Sequence, residues 1–369
     1  MLVLPATMAC ALFTTSVVSR RCHFLRSQRV AIHCLAATTD PAVDLAERAC
    51  SVEPPQFTAL RAETQERWPG GAHMVSGAQQ GRLLHMLVRL SRASRVLEVG
   101  CFSGYAALWM ALALPDGGRL VSLERDERAA DVARRHLDMA NMGGRVDLLL
   151  GDAMDSLEAL PADTPPFELI FLDADKKRSG QYVETLLSRG LLAPHGLLLI
   201  DNVLWKGEVL ARLDPSCLTA DSQEAKTSMD VATRRSMGLR DALHDFSMEL
   251  AADARVHQLL LPLRDGLTLA QHAHAPLGAP LDAAPLTPST TTTPLASYLR
   301  LVGSEEPTPL RPLREAGDAP IGVQHGRLLH MLVRVSRASR VLEVGGGAYV
   351  ALWMALALPD GGRLVSLER

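Results

Sequence analysis

Between residues 55 and 272 the chain alternates short apolar runs with helix-periodic segments, and that alternation confines it to β-α-β units around a parallel sheet. The runs Arg95 to Val99, Arg119 to Glu124, Val146 to Leu150, Leu169 to Asp173 and Leu197 to Asp201 are too short for helices and largely apolar, as strands covered on both faces must be. Two more strands, Val256 to Leu261 and Leu267 to Ala270, flank Asp265-Gly266, a pair that favours a tight hairpin turn. The expected fold is therefore a doubly wound, Rossmann-like α/β domain: a mostly parallel seven-stranded sheet that ends in an antiparallel hairpin.

Outside that region the sequence changes character three times. Four of the 38 basic residues (Arg20, Arg21, Arg26, Arg29) and none of the 41 acidic ones lie in residues 1–39, so this leader carries +4 and the remainder −7. An Arg-containing, hydroxyl-containing, acid-free start resembles an organellar transit peptide, for a plastid or a mitochondrion. The alternatives are a secretory signal, whose charge should precede the apolar run Met1 to Val18 rather than follow it, a membrane anchor, or a cytoplasmic chain. Residues 273–323 are rich in proline, contain the run Thr290 to Thr293, and have few large apolar side chains, so a disordered linker is expected.

Residues 324–369 then repeat residues 80–125. Gly326 to Gly345 copies Gly81 to Gly100 with one change, Val335 for Leu90, and Tyr349 to Arg369 copies Tyr105 to Arg125 with one change, Val350 for Ala106. Between the two blocks one residue is missing: Gly345-Gly346-Gly347-Ala348 stands where the first copy has Gly100-Cys101-Phe102-Ser103-Gly104. A single truncated copy is not a solenoid. It keeps Glu343 and Glu368 as counterparts of Glu98 and Glu124 but nothing equivalent to the later motifs, so it is expected to be catalytically inert. A weakly ordered remnant is expected, with docking on the first domain as the alternative.

Composition removes several function classes. Aromatic residues make up 4% of the chain and its formal charge is −3, which leaves neither a stacking platform nor a basic stripe for nucleic acid. Six cysteines (Cys10, Cys22, Cys34, Cys50, Cys101, Cys217) form no C-x-x-C pair and read as reduced thiols.

Three features carry chemistry. Val96-Leu97-Glu98-Val99-Gly100-Cys101-Phe102-Ser103-Gly104-Tyr105 is a strand running into a glycine turn that opens a helix, where a ligand can approach backbone closely. Glu124 ends the next strand, where such folds hold a ribose through its hydroxyls. Without a G-x-G-x-x-G run, a nucleoside lacking phosphates suits the site better than a dinucleotide. Leu172-Asp173-Ala174-Asp175-Lys176 and Leu199-Ile200-Asp201-Asn202-Val203 end two strands expected to be neighbours. Asp173, Asp201 and Asn202 could there converge as hard oxygen ligands for Mg²⁺, Mn²⁺ or Ca²⁺, although any one acid at a strand end could simply cap the next helix.

These motifs, with Met74-Val75-Ser76, Gln80-Gly81, Trp205 and Leu261-Pro262 before Asp265-Gly266-Leu267, resemble the metal-dependent class I S-adenosylmethionine O-methyltransferases. That group includes catechol and caffeoyl-CoA O-methyltransferases and the catechol O-methyltransferase domain-containing proteins, and the resemblance covers residues 55–272. It implies a divalent cation on Asp173, Asp201 and Asn202 and a base at Lys176. It also implies S-adenosylmethionine contacts at Met74, Glu98, Gly100, Ser103, Gly104, Glu124, Asp152, Ala153 and Asp173, and a small phenolic acceptor. Departures are Ala106, where the family often has a serine toward the donor's amino-acid end, and a longer stretch between Trp205 and Leu239 beside the acceptor. Two rivals are a non-catalytic fold relative with an interaction role and a methyltransferase acting on a macromolecule. A homodimer stays open, and a membrane partner only if the leader is an anchor.

Overall fold

The computed structural model describes residues 45, 49–71, 74–213, 231–273, 295, 298, 299, 302, 310, 312, 313 and 323–367; the leader and most of the proline-rich segment lie outside the described residues. Two helices, α1 (Pro55–Arg67) and α2 (Ala78–Ser91), precede β1 (Arg95–Val99), α3 (Tyr105–Ala111), β2 (Arg119–Glu124), α4 (Glu127–Met139) and β3 (Val146–Leu150). Then follow α5 (Ala153–Ala159), β4 (Phe167–Leu172), α6 (Ser179–Ser188), β5 (Leu192–Asp201), α7 (Val231–Ala252), β6 (Val256–Leu261) and β7 (Leu267–His272). The sheet runs β3-β2-β1-β4-β5-β7-β6, parallel from β3 to β5 and antiparallel at β7 and β6, as the alternating pattern required. Five residues, Pro262 to Gly266, link β6 to β7, because Leu261 pairs with Leu267. The expected tight turn is therefore a longer loop, with Arg264 and Gly266 both at positive φ.

Side chains alternate across the strands, which splits the core into two layers. Val96, Leu120, Leu169 and Leu199 pack under α1 to α4, whereas Leu97, Val99, Leu123 and Ile170 pack under α5, α6 and α7. Phe57 of α1 stacks on Trp109 of α3, 4.1 Å between ring centroids. Trp109 reaches that position because position 81 is glycine: a Cβ there would lie 2.2 Å from the indole.

The copied segment is ordered as α8 (Val323–Ser336), β8 (Arg340–Val344), α9 (Gly347–Ala355) and β9 (Arg363–Leu367), with β8 and β9 forming their own parallel pair. Its internal packing repeats the first copy, Gly326 admitting Trp353 as Gly81 admits Trp109. Instead of dangling, α8 packs against α2 and lies over β5 and β6, and Met331 and Val335 join the first core layer. The proline-rich segment also departs from expectation at the residues described. Tyr298, Leu299 and Val302 are buried in the second layer and Leu310 against Tyr349 and Trp353, because its few large apolar side chains are clustered rather than spread. Leu342 and Val344 of β8, paired with Val365 and Leu367 of β9, are each more than half exposed, whereas Leu97, Val99 and Leu123, their counterparts in β1 and β2, are fully buried. No described helix is long and apolar enough to cross a membrane.

Candidate active site

Strand order reverses between β1 and β4, and open α/β sheets bind ligands outside the carboxyl ends of their strands at such a switch point. The predicted residues collect there. Gly100, at φ +100°, follows β1 so closely against β4 that a Cβ would sit 2.4 Å from the Asp173 carbonyl oxygen. The Asp173 amide in turn donates to the Val99 carbonyl at 2.8 Å. Only glycine lets the two loops meet this way.

Glu98 lies on β1 beside that turn and is fully buried. Ser122 of β2 donates to its Oε2, and Oε1 has no partner. Burial drives Glu98 up to about 8, against the pull of the Ser122 hydroxyl. A buried polar atom without a partner fits a ligand that brings one. Ser103 and Thr64 of α1 hold their hydroxyls 2.9 Å apart, so Ser103 is fixed beneath the loop, and Gly104 opens α3 at φ +89°.

Glu124 ends β2 as expected, but its carboxylate is occupied. Oε2 accepts from the Cys101 and Phe102 amides at 3.2 and 2.6 Å, and Oε1 from the Arg125 and Asp126 amides at 2.9 and 2.8 Å. It binds the glycine loop to β2, and a ribose would compete with the loop's own N–H groups. Asp152 likewise has structural work: it caps α5 through the Met154 amide at 2.9 Å and pairs with Arg178 at 2.8 Å, with Ala153 as the first residue of that helix. Met74 is half exposed, with its methyl close to Gly71.

At the ends of β4 and β5, Leu172 is in register with Ile200, which places Asp173 and Asp201 side by side. Lys176 pairs with Asp173 Oδ1 within one turn, its side chain 12% exposed, whereas Lys177 next to it is exposed. Burial raises Asp173 to about 6, Lys176 opposing and the Asp201 carboxylate adding to the rise. Asn202 takes the left-handed conformation at φ +60°, which asparagine tolerates better than most residues, and its amide donates to Asp201 Oδ1 at 2.8 Å. Among the described residues no three His, Cys, Asp or Glu side chains cluster as a metal site. The candidate donors are two carboxylates and one amide. They are all oxygen, the two acids repel, and a hard divalent cation would satisfy both conditions, so the residues present fit such an ion.

Gln80 belongs to the Gln80-Gly81 motif, and sequence alone gives it no role. Its Nε2 donates to Asp201 Oδ2 at 2.7 Å from a position 2% exposed on α2. Arg264, also unassigned, donates to the Val75 carbonyl at 3.2 Å and adds positive charge near Asp173. Neither sits at the carboxyl end of a parallel strand, and a polar Gln80 on the buried side of an apolar helix was the available signal.

The sequence profile of the O-methyltransferase family matches residues 47–273 and again 311–369. The chain belongs to that family. This O-methyltransferase is 36% identical over 220 residues to catechol O-methyltransferase domain-containing protein 1 of Mus musculus, an overlap of 59% of this chain and 74% of that protein. It is 33% identical over 223 residues to tricin synthase 1 of Oryza sativa subsp. japonica, covering 59% and 81% of the two chains. Its fold is similar to the crystal structure of SAH-bound Podospora anserina methyltransferase PaMTH1, at 29% identity and TM-score 0.56 over 64% of this chain and 97% of that one. It is also similar to the O-methyltransferase TomG from Streptomyces achromogenes in complex with SAM, at 29% identity and TM-score 0.51 over 63% and 96%. The protein is thus an S-adenosylmethionine-dependent O-methyltransferase of the catechol and caffeoyl-CoA type.

Proposed function

We infer that this enzyme methylates one of two vicinal hydroxyls on a small catechol-like or caffeoyl-type molecule, with a divalent cation, Mg²⁺ before Mn²⁺ or Ca²⁺, held by Asp173, Asp201 and Asn202. The observation that carries this reading is that Asp173 and Asp201 stand at the adjacent ends of β4 and β5, each just past the Leu172–Ile200 pair, with Lys176 on one of them. A cation bound there would favour ionisation of an adjacent phenol and align its neighbouring oxygen.

The chain's own groups supply the rest. Lys176 stands at the carboxyl end of β4 against Asp173, and in its neutral form its amine takes the acceptor's proton and becomes the ammonium. Glu98 and the loop from Gly100 to Gly104 position the donor at the switch point, and Gln80 holds Asp201 in place. Holding oxygen, methyl and sulfur in line accounts for much of the acceleration, since no covalent intermediate is needed. The −7 charge of the chain after residue 39 favours a small acceptor over nucleic acid.

Relatives named for catechol, tricin and caffeoyl-CoA chemistry point the same way. The test is turnover on a panel of catechols and caffeoyl thioesters with Mg²⁺ and with EDTA. Methylation that needs Mg²⁺ and is lost in Asp201→Ala and Lys176→Met supports the reading. Full turnover in EDTA removes the cation from it.

A further inference from the structure

Arg264 stands where a glycine would fit more easily, and the sheet carries it to the site. Its backbone is left-handed, at φ +50°, in the loop 262–266. Leu267, which follows that loop, pairs with Asp201, so the loop lies at the same end of the sheet as the Asp173 and Asp201 carboxylates. Backbone bonds fasten it there: the Leu204 amide donates to the Asp265 carbonyl at 2.7 Å and the Val203 amide to the Gly266 carbonyl at 3.2 Å. A bulky residue held at positive φ costs stability, and such strain collects at binding sites.

The guanidinium is pinned at one edge and open at the other. Nη1 donates to the Val75 carbonyl at 3.2 Å and lies 3.5 Å from Gln80 Oε1. Gly77 admits it, since a Cβ there would come within 3.2 Å of Nη1. Among the described residues Nε and Nη2 have no hydrogen-bond partner and no carboxylate pairs with the group, although its charge reaches Asp173 and Asp265. The side chain is exposed. Gly77 is also the N-cap of α2 and brings no capping side chain, so the positive end of that helix meets a positive side chain. Two positive groups meeting at one place repel, and an oxyanion seated there removes the repulsion. Contacts run from Lys176 to Asp173, across the strand ends to Asp201, then through Gln80 to Arg264. The base and the open guanidinium thus stand at opposite ends of one run of contacts, with the two acids between them.

We propose that Arg264 is a specificity-determining residue that receives a carboxylate carried by the acceptor, so that the enzyme favours acidic catechols over neutral ones and discriminates against catechol amines. The proposal rests on the catechol reading of the acceptor given above. A planar carboxylate takes two parallel N–H bonds from the Nε–Nη2 edge while the vicinal hydroxyls lie at the strand ends. The ring is then held at both ends, which fixes the hydroxyl that faces the methyl donor.

The test compares 3,4-dihydroxybenzoate, 3,4-dihydroxybenzyl alcohol and dopamine as acceptors for the full chain with S-adenosylmethionine and Mg²⁺, scoring kcat/KM and the ratio of the two monomethylated products. The unmodified enzyme should favour the acid over the alcohol, with dopamine poorest. Arg264→Gln should cut the acid-to-alcohol preference by about 10–100-fold, chiefly through KM, and should mix the products formed from the acid. Calorimetric binding of 3,4-dihydroxybenzoate to the S-adenosylhomocysteine complex should weaken by a similar factor, with circular dichroism unchanged. Arg264→Glu should place dopamine ahead of the acid. Should either variant fail to fold, Arg264→Lys keeps the charge without the fork, and should retain the preference for the acid while losing the product ratio. A loss shared equally by the three acceptors, as expected if Arg264 only balances the aspartates, overturns the proposal, and so does an unmodified enzyme that does not distinguish acid from alcohol. Failure to methylate any catechol removes the acceptor reading and this proposal with it.

Discussion

Replacing Glu98 by glutamine should stabilise the protein at alkaline pH and leave it nearly unchanged in acid. Glu98 is fully buried, its Oε1 is unpaired, and burial raises it from 4.5 to about 8. A carboxyl raised in the folded state binds its proton more tightly there than in the unfolded chain. Its stabilising contribution is present below pH 4.5 and is lost as pH rises through about 8. At about 1.4 kcal/mol per unit, the whole interval corresponds to about 5 kcal/mol, an upper limit because water and side chains can relax around the ionised group. Glu98→Gln keeps the shape and removes the titration, so the variant's stability should not fall over this interval on account of position 98. Urea unfolding followed by tryptophan fluorescence, from about pH 5 to about pH 9, measures the difference between the two proteins. That difference should grow by as much as about 1.4 kcal/mol per pH unit in favour of the variant. Parallel curves would show that Glu98 stays ionised, and the burial argument would fail.

Gln80→Leu removes the donor that holds Asp201 Oδ2, and should weaken divalent-ion binding by about 10–100-fold, read by Mn²⁺ titration, with the fold retained by circular dichroism. Glu124→Ala frees four backbone amides of the glycine loop and its neighbour, and should cost about 1.5–3 kcal/mol in S-adenosylmethionine affinity by calorimetry. An unchanged affinity would mean that the loop is held without it.

The strands were legible because their short apolar runs stand out between helix-periodic segments: β1, β2, β3 and β6 begin and end where the sequence places them. β5 begins five residues before its predicted start, because Leu192 pairs with Phe167 across an irregularity that no local pattern announces. At the site, strand-end position located Asp173, Asp201 and Asn202, since the geometry of a doubly wound sheet brings those ends together. Glu124 and Asp152 were located as well, but the backbone amides and Arg178 that occupy their oxygens are set by loop conformation, which residue type alone does not encode. Gln80 was missed because its partner is 121 residues away. The docking of α8, held only as the alternative to a weakly ordered remnant, could not be decided from sequence, because from Gly326 to Ser336 it copies α2 with one change and the outer face of α2 is exposed; the tertiary setting separates them.

The identity of β1 and β8, both Arg-Val-Leu-Glu-Val, bears on how the chain reaches its native state. β4 needs one such strand as its parallel neighbour, and two are present on the same polypeptide. During synthesis the first copy emerges about 10–50 s before the second at ribosomal rates, long enough for β1 to claim β4 before its rival exists. A chain released from denaturant has no such head start. Refolding in vitro should therefore divide between productive molecules and ones in which β8 has taken the place of β1, and the yield should fall below that of the freshly translated protein.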